Sequence, residues 1–297
     1  MSINRAARGA QRAVTTFHPL DQPVTNPPNQ KLQCDTPADL DSSAPQKQTG
    51  IRGWYIAQQA YLLGKTFHQD WSVIPRAKRE QWLKRLLFGW AATATLVFAM
   101  TIGMRFVVTR GYLPSAWEEA ALQWVLHHAP ADFSHAVWLG AAGDPIVIIS
   151  VFLIGTVVAI RAGYPIRGLS IAASYLLVSL LVLLGWTIWD RLRPTLVVDG
   201  MAAPDLHSFP SGHMAQSVAV YGMFWYFWLR KIQQRTETVF ALLLFCVWIG
   251  LIGLARLLLG AHWVTDIVAG TLIGLIWLLV LLRALRLFQQ DGKTHRQ

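Results

Sequence analysis

Residues 86–108 read LLFGWAATATLVFAMTIGMRFVV, and this stretch decides the class of the protein. About 20 predominantly apolar residues in helical conformation cross the hydrocarbon core of a bilayer. Its one charge, Arg105, stands near the end of the run, where a long basic side chain can snorkel outward. Arg76, Lys78, Arg79, Lys84 and Arg85 lead into it. Toward the C terminus, further apolar runs occupy residues 145–160, 168–189, 211–228, 239–259 and 267–287. Together they predict an all-α fold, a bundle of six transmembrane helices. The amphipathic stretch 109–143 holds Pro114, Trp117, Glu118, Glu119, Trp124, His127, His128, Pro130 and Trp138. It reads as an outer loop carrying interfacial helices.

The composition agrees. Of 297 residues 54% are hydrophobic and 14% charged, well below the charged share of a soluble domain. A net charge of +10 would suggest nucleic acid in a soluble protein. Here the Lys and Arg residues gather at the ends of apolar runs, as positive-inside loops do, and no aromatic-basic motif accompanies them, so nucleic-acid binding is set aside. Cys34 and Cys246 have no metal-ligand spacing and suggest neither a disulfide nor a redox role.

Residues 1 to about 50 carry Pro19, Pro23, Pro27, Pro28, Pro37 and Pro45 among polar residues. Such a segment buries too little apolar surface to offset chain entropy and is expected to be disordered. Residues 53–67 mix Trp54, Tyr55, Tyr61 and Leu62 with polar residues, as either a helix in the headgroup region or a juxtamembrane linker. The expected organisation is an N-terminal extension over 1–80, a membrane domain over 81–290 and a short polar tail over 291–297. No apolar stretch follows Arg5, Arg8 and Arg12, so no cleavable signal peptide is expected and the first span serves as targeting signal. The basic segments alternate: the tail before Leu86, the Arg161–Arg167 turn, the Arg230–Arg235 turn and the C terminus. Loop charge therefore puts both termini in the cytoplasm, and residues 109–143, 190–210 and 260–266 on the outer side.

Three polar clusters stand at helix ends on that outer side: Arg191, Arg193 and Pro194; Pro210, Ser211, Gly212 and His213; Arg256, His262 and Asp266. Ionisable groups at such depth tend to be functional, and these point to phosphate. Guanidinium forks match phosphate oxygens bidentately. Free N–H groups at the helix start near Ser211, Gly212 and His213 point at an anion, and the macrodipole helps. Gly212 leaves room for a phosphoryl group to approach the backbone. His262 and Asp266, four apart, share a face if that segment is helical. The carboxylate can then accept from one ring nitrogen and leave the other to attack phosphorus, with His213 protonating the leaving oxygen.

Pro210-Ser211-Gly212-His213 and Arg256-x5-His262-x3-Asp266 resemble the second and third motifs of the type-2 phosphatidic acid phosphatase (PAP2) superfamily. Arg193-Pro194 resembles the end of its first motif. The resemblance covers roughly residues 86–290 and includes a six-helix membrane core. It implies a lipid phosphatase in which His262 forms a phosphohistidine and Asp266 orients it. In the same scheme His213 acts as acid and then as base, and Arg193, Arg256, Ser211 and Gly212 cradle the phosphate; no metal or other cofactor is implied. The sequence departs from the family at two places. Trp186 stands where the first motif has a Lys, with Arg191 the nearest candidate to replace it, and Ala255 stands where the third motif usually has a Ser. One charge-assisted contact to a phosphate is worth about 1.5–3 kcal/mol, so the missing Lys bears on how tightly phosphate is held.

Blander readings stand beside these. His262 and Asp266 alone would more often cap a helix. His207 reads as a solvated loop histidine, Asp190 as a partner of Arg191, and Asp144 as the cap of the second span. His127, His128 and His135 read as interfacial residues and Trp54, Trp138 and Trp225 as interface anchors. Gly250, Gly253, Gly270 and Gly274 permit close helix packing. The leading function is hydrolysis of a lipid phosphate or diphosphate, of the polyprenyl (undecaprenyl diphosphate) or phosphatidate type, at the outer face of a bacterial inner membrane. The alternatives are a lipid phosphotransferase using the same phosphohistidine and a degenerate, non-catalytic scaffold; oligomeric state is left open.

Overall fold

The computed structural model describes residues 44–113, 115–129, 133–197 and 207–288. The chain divides into two compact units, Met1–Ile51 and Arg52–Gln297. Of the first unit, residues 44–51 are described, and they are helical. The disorder expected for residues 1 to about 50 is not found over 44–50, which are helical; residues 1–43 and the polar tail expected over 291–297 lie outside the described residues.

The helices are α1 (Ala44–Val73), α2 (Arg76–Thr109), α3 (Ser115–His128), α4 (Phe133–Ala141), α5 (Pro145–Arg161), α6 (Pro165–Ile188), α7 (Gly212–Leu229), α8 (Arg235–Leu258) and α9 (Val264–Leu285), followed by a 3-10 turn at Arg286–Phe288. Among the described residues there is no strand. Proline sets several starts: Pro75 precedes α2, and Pro145 and Pro165 take first-turn positions of α5 and α6, where a missing N–H costs no helical bond. The end of α8 is built with equal economy. Gly260 adopts φ 64°, its N–H bonds Leu257 O at 2.9 Å, and Ala261 N–H bonds Arg256 O at 3.0 Å. That paired return, with a left-handed residue just past the cap, is a Schellman stop, and it delivers the chain to His262.

Among the described residues five helical segments are long and apolar enough to cross a membrane: Arg76–Thr109, Ser134–Arg161, Pro165–Ile188, Arg235–Leu258 and Val264–Phe288. The protein is thus a multi-pass integral membrane protein. Two details differ from the sequence reading. The second segment reaches back to Ser134, so α4, assigned above to the loop, runs with α5 in apolarity. The expected fourth span exists as helix α7 but is not among the five. The reason lies in its position. Helix α7 packs against α5, α6, α8 and α9, half of its 18 residues are buried, and it therefore meets protein where an outer helix meets lipid. It carries His213, Gln216 and Ser217 inward; Gln216 donates to Ser179 Oγ of α6 at 3.0 Å.

Around α7 the core is made by Val178, Leu181 and Val182 of α6, Ile148 of α5, Val97 of α2 and Ile273, Trp277 and Leu281 of α9. Trp277 is fully buried and its indole N–H donates to Ala173 O at 3.1 Å. Outward-facing residues such as Phe88, Ile154, Leu243 and Leu272 are exposed apolar side chains, as a lipid-facing surface requires. The closest approach is between α7 and α9. A side chain at Gly270 would collide with Ser211 O, and one at Gly274 would come within 2.7 Å of Ala215 O. Gly253 sits in looser contact with Ile267 at 3.3 Å. Gly250, expected to serve close packing as well, has nothing within 4 Å and faces open space.

Candidate active site

The three polar clusters converge at one end of the bundle, where α6 and α8 end and α7 and α9 begin. His262 lies in the link between α8 and α9 and is fully buried. Its Nδ1 is 2.9 Å from Ser208 O. A carbonyl can only accept, so Nδ1 carries the proton and Nε2 keeps its lone pair. Nε2 itself is buried without a hydrogen-bond partner. Burial pushes the imidazole below its ordinary pKa; the Asp266 carboxylate opposes that, and Arg193 adds to it.

Asp266 is also fully buried, in the first turn of α9. Its role differs from the expected one. Oδ2 stands 3.7 Å from His262 Nδ1, too far for a hydrogen bond, so it neighbours the imidazole as a charge. Its bonds go elsewhere: Oδ2 accepts from Trp263 N at 2.8 Å and from Ser208 Oγ. Oδ1 accepts from Arg191 Nη1 at 2.6 Å. The bond from Trp263 N caps α9, as the blander reading had it, while the bond from Ser208 Oγ fixes Ser208, whose carbonyl orients the ring. Ser208 was not singled out in the sequence. Arg191 was expected to stand in for the missing Lys at the phosphate. Instead its guanidinium, 6% exposed, is tied to Asp266, to Thr265 Oγ1 at 2.7 Å and to Glu118 Oε2, because two buried carboxylates hold a cation more strongly than an open cleft does.

His213 occupies the first turn of α7. Its ring centroid is 6.2 Å from that of His262, with the planes at 65°. Its Nε2 is 3.9 Å from Asp144 Oδ1, and Arg256 Nη2 is 3.5 Å from the same oxygen. Asp144 does precede α5 but makes no side-chain cap bond; its carboxylate is turned to the site. Arg256 is 7% exposed, its Nε has no partner, and a side chain at Gly140 of α4 would collide with its Nη2. Gly140 is a second position the sequence reading passed over.

Ser211 is the residue preceding α7 and makes no side-chain cap bond; its Oγ is buried without a partner. Its N–H donates to Asp266 O at 3.1 Å, pinning the turn to α9. The N–H groups of the first residues of α7 lack intrahelical acceptors, as at any helix start. Gly212 has a different use from the one expected: a Cβ there would meet Val182 at 3.3 Å and Trp186 at 3.4 Å, so its smallness admits α6. Arg193 donates to Ala261 O at 2.7 Å and to His207 O at 3.3 Å, bracing the strands of chain on both sides of His262. Burial lowers its pKa, Asp266 counteracting and Arg256 adding to the effect.

Trp186, at the place of the family Lys, donates its indole N–H to Pro210 O at 3.0 Å and stacks on His207. It thus supports the turn that carries Ser211 and His213. His207 Nδ1 is 2.6 Å from Asp190 Oδ1, so Asp190 pairs with His207 and not with Arg191. His127 and His128 lie exposed at the end of α3. Among the described residues no group of three His, Cys, Asp or Glu side chains could hold a metal ion.

The family model of the PAP2 superfamily matches residues 166–289, from the start of α6 to the end of the described chain, and so includes all three clusters. Among solved structures, the chain is similar to the first transmembrane PAP2 type phosphatidylglycerolphosphate phosphatase from Bacillus subtilis. The identity is 19%, the TM-score is 0.52, and the similarity covers 64% of this chain and 94% of that one. No match was found among curated proteins.

Proposed function

We propose that this chain, whose residues 166–289 match the family model of the PAP2 superfamily, is a membrane lipid phosphatase that hydrolyses a lipid phosphate or diphosphate through a phosphohistidine on His262. One observation carries the reading. His262 Nε2, Ser211 Oγ and Arg256 Nε are buried polar atoms without partners, Ser211 in the second cluster and Arg256 and His262 in the third. A buried polar atom left unpaired is costly: Ser211 Oγ and Arg256 Nε are donors that suit an oxyanion bringing its own acceptors, while the Nε2 lone pair suits the electrophilic phosphorus those oxygens surround. The similarity to a membrane phosphatase fold supports the same reading.

The reaction follows from the tautomer. The Nε2 lone pair of His262 attacks phosphorus, and the bond from phosphorus to the lipid oxygen breaks. His213 gives its proton to that departing oxygen. A water then loses a proton to His213 and attacks the phosphohistidine; the P–N bond breaks, phosphate leaves and His262 recovers its lone pair. The ring separation of 6.2 Å suits this sequence, because a phosphoryl group needs a contact of about 3 Å on each side. Arg256, Arg193, Ser211 Oγ and the free N–H groups of α7 would hold the equatorial oxygens. Asp266 and the Ser208 carbonyl keep the ring aimed and offset the charge it gains.

Six spans, counting α7, give an even crossing. The basic turns at Arg161–Arg167 and Arg230–Arg235 then stand at the end of the bundle opposite the site, which supports cytoplasmic termini and an outward-facing site. The test is phosphate release from purified protein in detergent, across phosphatidate, phosphatidylglycerophosphate and polyprenyl diphosphate, with EDTA present and His262→Ala as blank. Release that persists in EDTA and is absent from the blank is expected. Loss of release on adding EDTA would overturn the metal-independent part, and release by the blank would overturn the role of His262.

A further inference from the structure

Glu118 belongs to none of the three motifs. It sits in the first turn of α3, in the segment between α2 and α5, and is 2% exposed. A carboxylate is almost never buried so completely unless it is paired. Its two oxygens are both used: Oε2 accepts from Arg191 Nη2 and Oε1 accepts from Thr265 Oγ1 at 2.5 Å. The Thr265 hydroxyl in turn accepts from Arg191 Nη1 at 2.7 Å, closing a ring of Glu118, Arg191 and Thr265. From that ring Arg191 Nη1 reaches Asp266 Oδ1 at 2.6 Å. The Arg191 guanidinium also lies over the rings of Trp189 and Trp263, at 5.1 and 5.5 Å, so it is held on its faces as well as along its edge.

The charges along this chain are minus at Glu118, plus at Arg191 and minus at Asp266. Without Glu118 the cation would belong to Asp266 alone and the pair would be neutral. With Glu118 the cation is shared, and one net negative charge is left behind the His262 imidazole, which becomes cationic when it carries a phosphoryl group. A single charge in so dry a place acts strongly over several ångströms.

We infer that Glu118 is a positioning residue for the reaction proposed above: acting through Arg191, it fixes the Asp266 carboxylate and keeps it negative behind the His262 ring. The inference rests on the His262 reading but concerns a residue outside every motif. It also gives α3 a function, since that helix supplies the far end of the tether and packs on α8 and α9, on the two sides of the His262 link.

Glu118→Gln tests it, because Gln keeps the shape and one acceptor but removes the charge. The substrate is dioctanoyl phosphatidate, short enough to be presented uniformly in detergent. The expected result is a fall in kcat of tenfold or more, on the order of one charged hydrogen bond's worth, with KM little changed. The acid titration of His262, followed by imidazole NMR, is expected to move to lower pH, because a negative charge has been removed from its vicinity. In a double variant with Asp266→Asn, the Glu118→Gln change should add little further loss, since both act through one unit. Unchanged kcat together with an unchanged His262 titration would overturn the inference, as would full additivity with Asp266→Asn. If Glu118→Gln fails to fold, Thr265→Val, which loosens the same ring from its other side, must shift the His262 titration in its place; no shift overturns the inference. The titration needs no turnover, so an inactive wild type would defeat the phosphatase reading while leaving this inference to stand or fall separately.

Discussion

The two imidazoles lie with centroids 6.2 Å apart yet are held by unlike means. His262 is fully buried and fixed by bonds drawn from distant segments: its Nδ1–H donates to the Ser208 carbonyl, and Asp266, Arg191 and Glu118 stand behind in one connected chain. The His213 side chain is 24% exposed. It is placed by the first turn of α7, with Asp144 Oδ1 at 3.9 Å from its Nε2. The difference suits the two tasks proposed for them. A nucleophile has one lone pair to aim at one atom, and aiming calls for rigidity. A group that first gives a proton to a lipid oxygen and then takes one from water must serve two partners, and some exposure to water suits it.

The contrast can be broken by experiment. Removing His262, as His262→Ala, is expected to cost roughly a millionfold in kcat, the scale seen when a covalent catalyst loses its nucleophile. A better leaving group should not restore it. His213→Gln is expected to cost about 10²–10⁴-fold in kcat/KM, which reports only the steps up to phosphohistidine formation, on an alkyl phosphate, and much less on p-nitrophenyl phosphate, whose leaving group needs no proton. Equal losses on both substrates would remove the proton-donor role. Ser208→Ala sharpens the picture further. It deletes the hydroxyl bonded to Asp266 but keeps the carbonyl bonded to His262, so rates should fall only about tenfold. A loss as large as that of His262→Ala would mean that the hydroxyl matters more than the carbonyl.

The smallest effect is one of stability. His262 has a pKa lowered by burial, so below the ordinary value of about 6.5 the unfolded chain takes up a proton there that the folded chain refuses. Stability tied to this group is therefore present above that value and lost as pH falls toward the lowered one. The advantage of wild type over His262→Gln in Tm should shrink as pH falls from about 7.5 to about 5. An advantage that grows would contradict a neutral buried ring.

Much of the fold was legible because apolar length is a one-dimensional signal. The run 86–108 lies within α2, 168–189 overlaps α6 but for its first turn, and 239–259 and 267–287 lie within a few residues of α8 and α9. Residues 211–228 were placed correctly as a helix, but their status as a span rests on tertiary context. A helix ringed by protein no longer has to be apolar on every side, and His213, Gln216 and Ser217 lower its hydropathy. The candidate site was legible where motif spacing marks it, at His213, Arg256 and His262, which the structure brings together. What escaped was fixed by contacts between distant residues. Thr265 and Glu118 are separated by 147 positions, and Glu118 beside Glu119 reads as half of an ordinary polar face. The reassignment of Arg191 has the same cause, since a guanidinium two residues from the family's Arg looks like a phosphate ligand until its carboxylate partners are seen. Ser208 acts on His262 through its backbone oxygen, which every residue type possesses and no motif can mark.

Gly270 and Gly274 bear on how this protein could be altered. The carbonyls of Ser211 and Ala215 are seated where side chains at 270 and 274 would begin, so the turn before α7 and the start of α9 move as one piece. A saturation library selected for phosphatase activity should therefore tolerate almost nothing but glycine at these two positions while accepting larger residues freely at Gly250 and Gly103, where nothing lies within 4 Å. Engineers seeking room for a bulkier molecule would have to leave that seam alone and work on the walls around it.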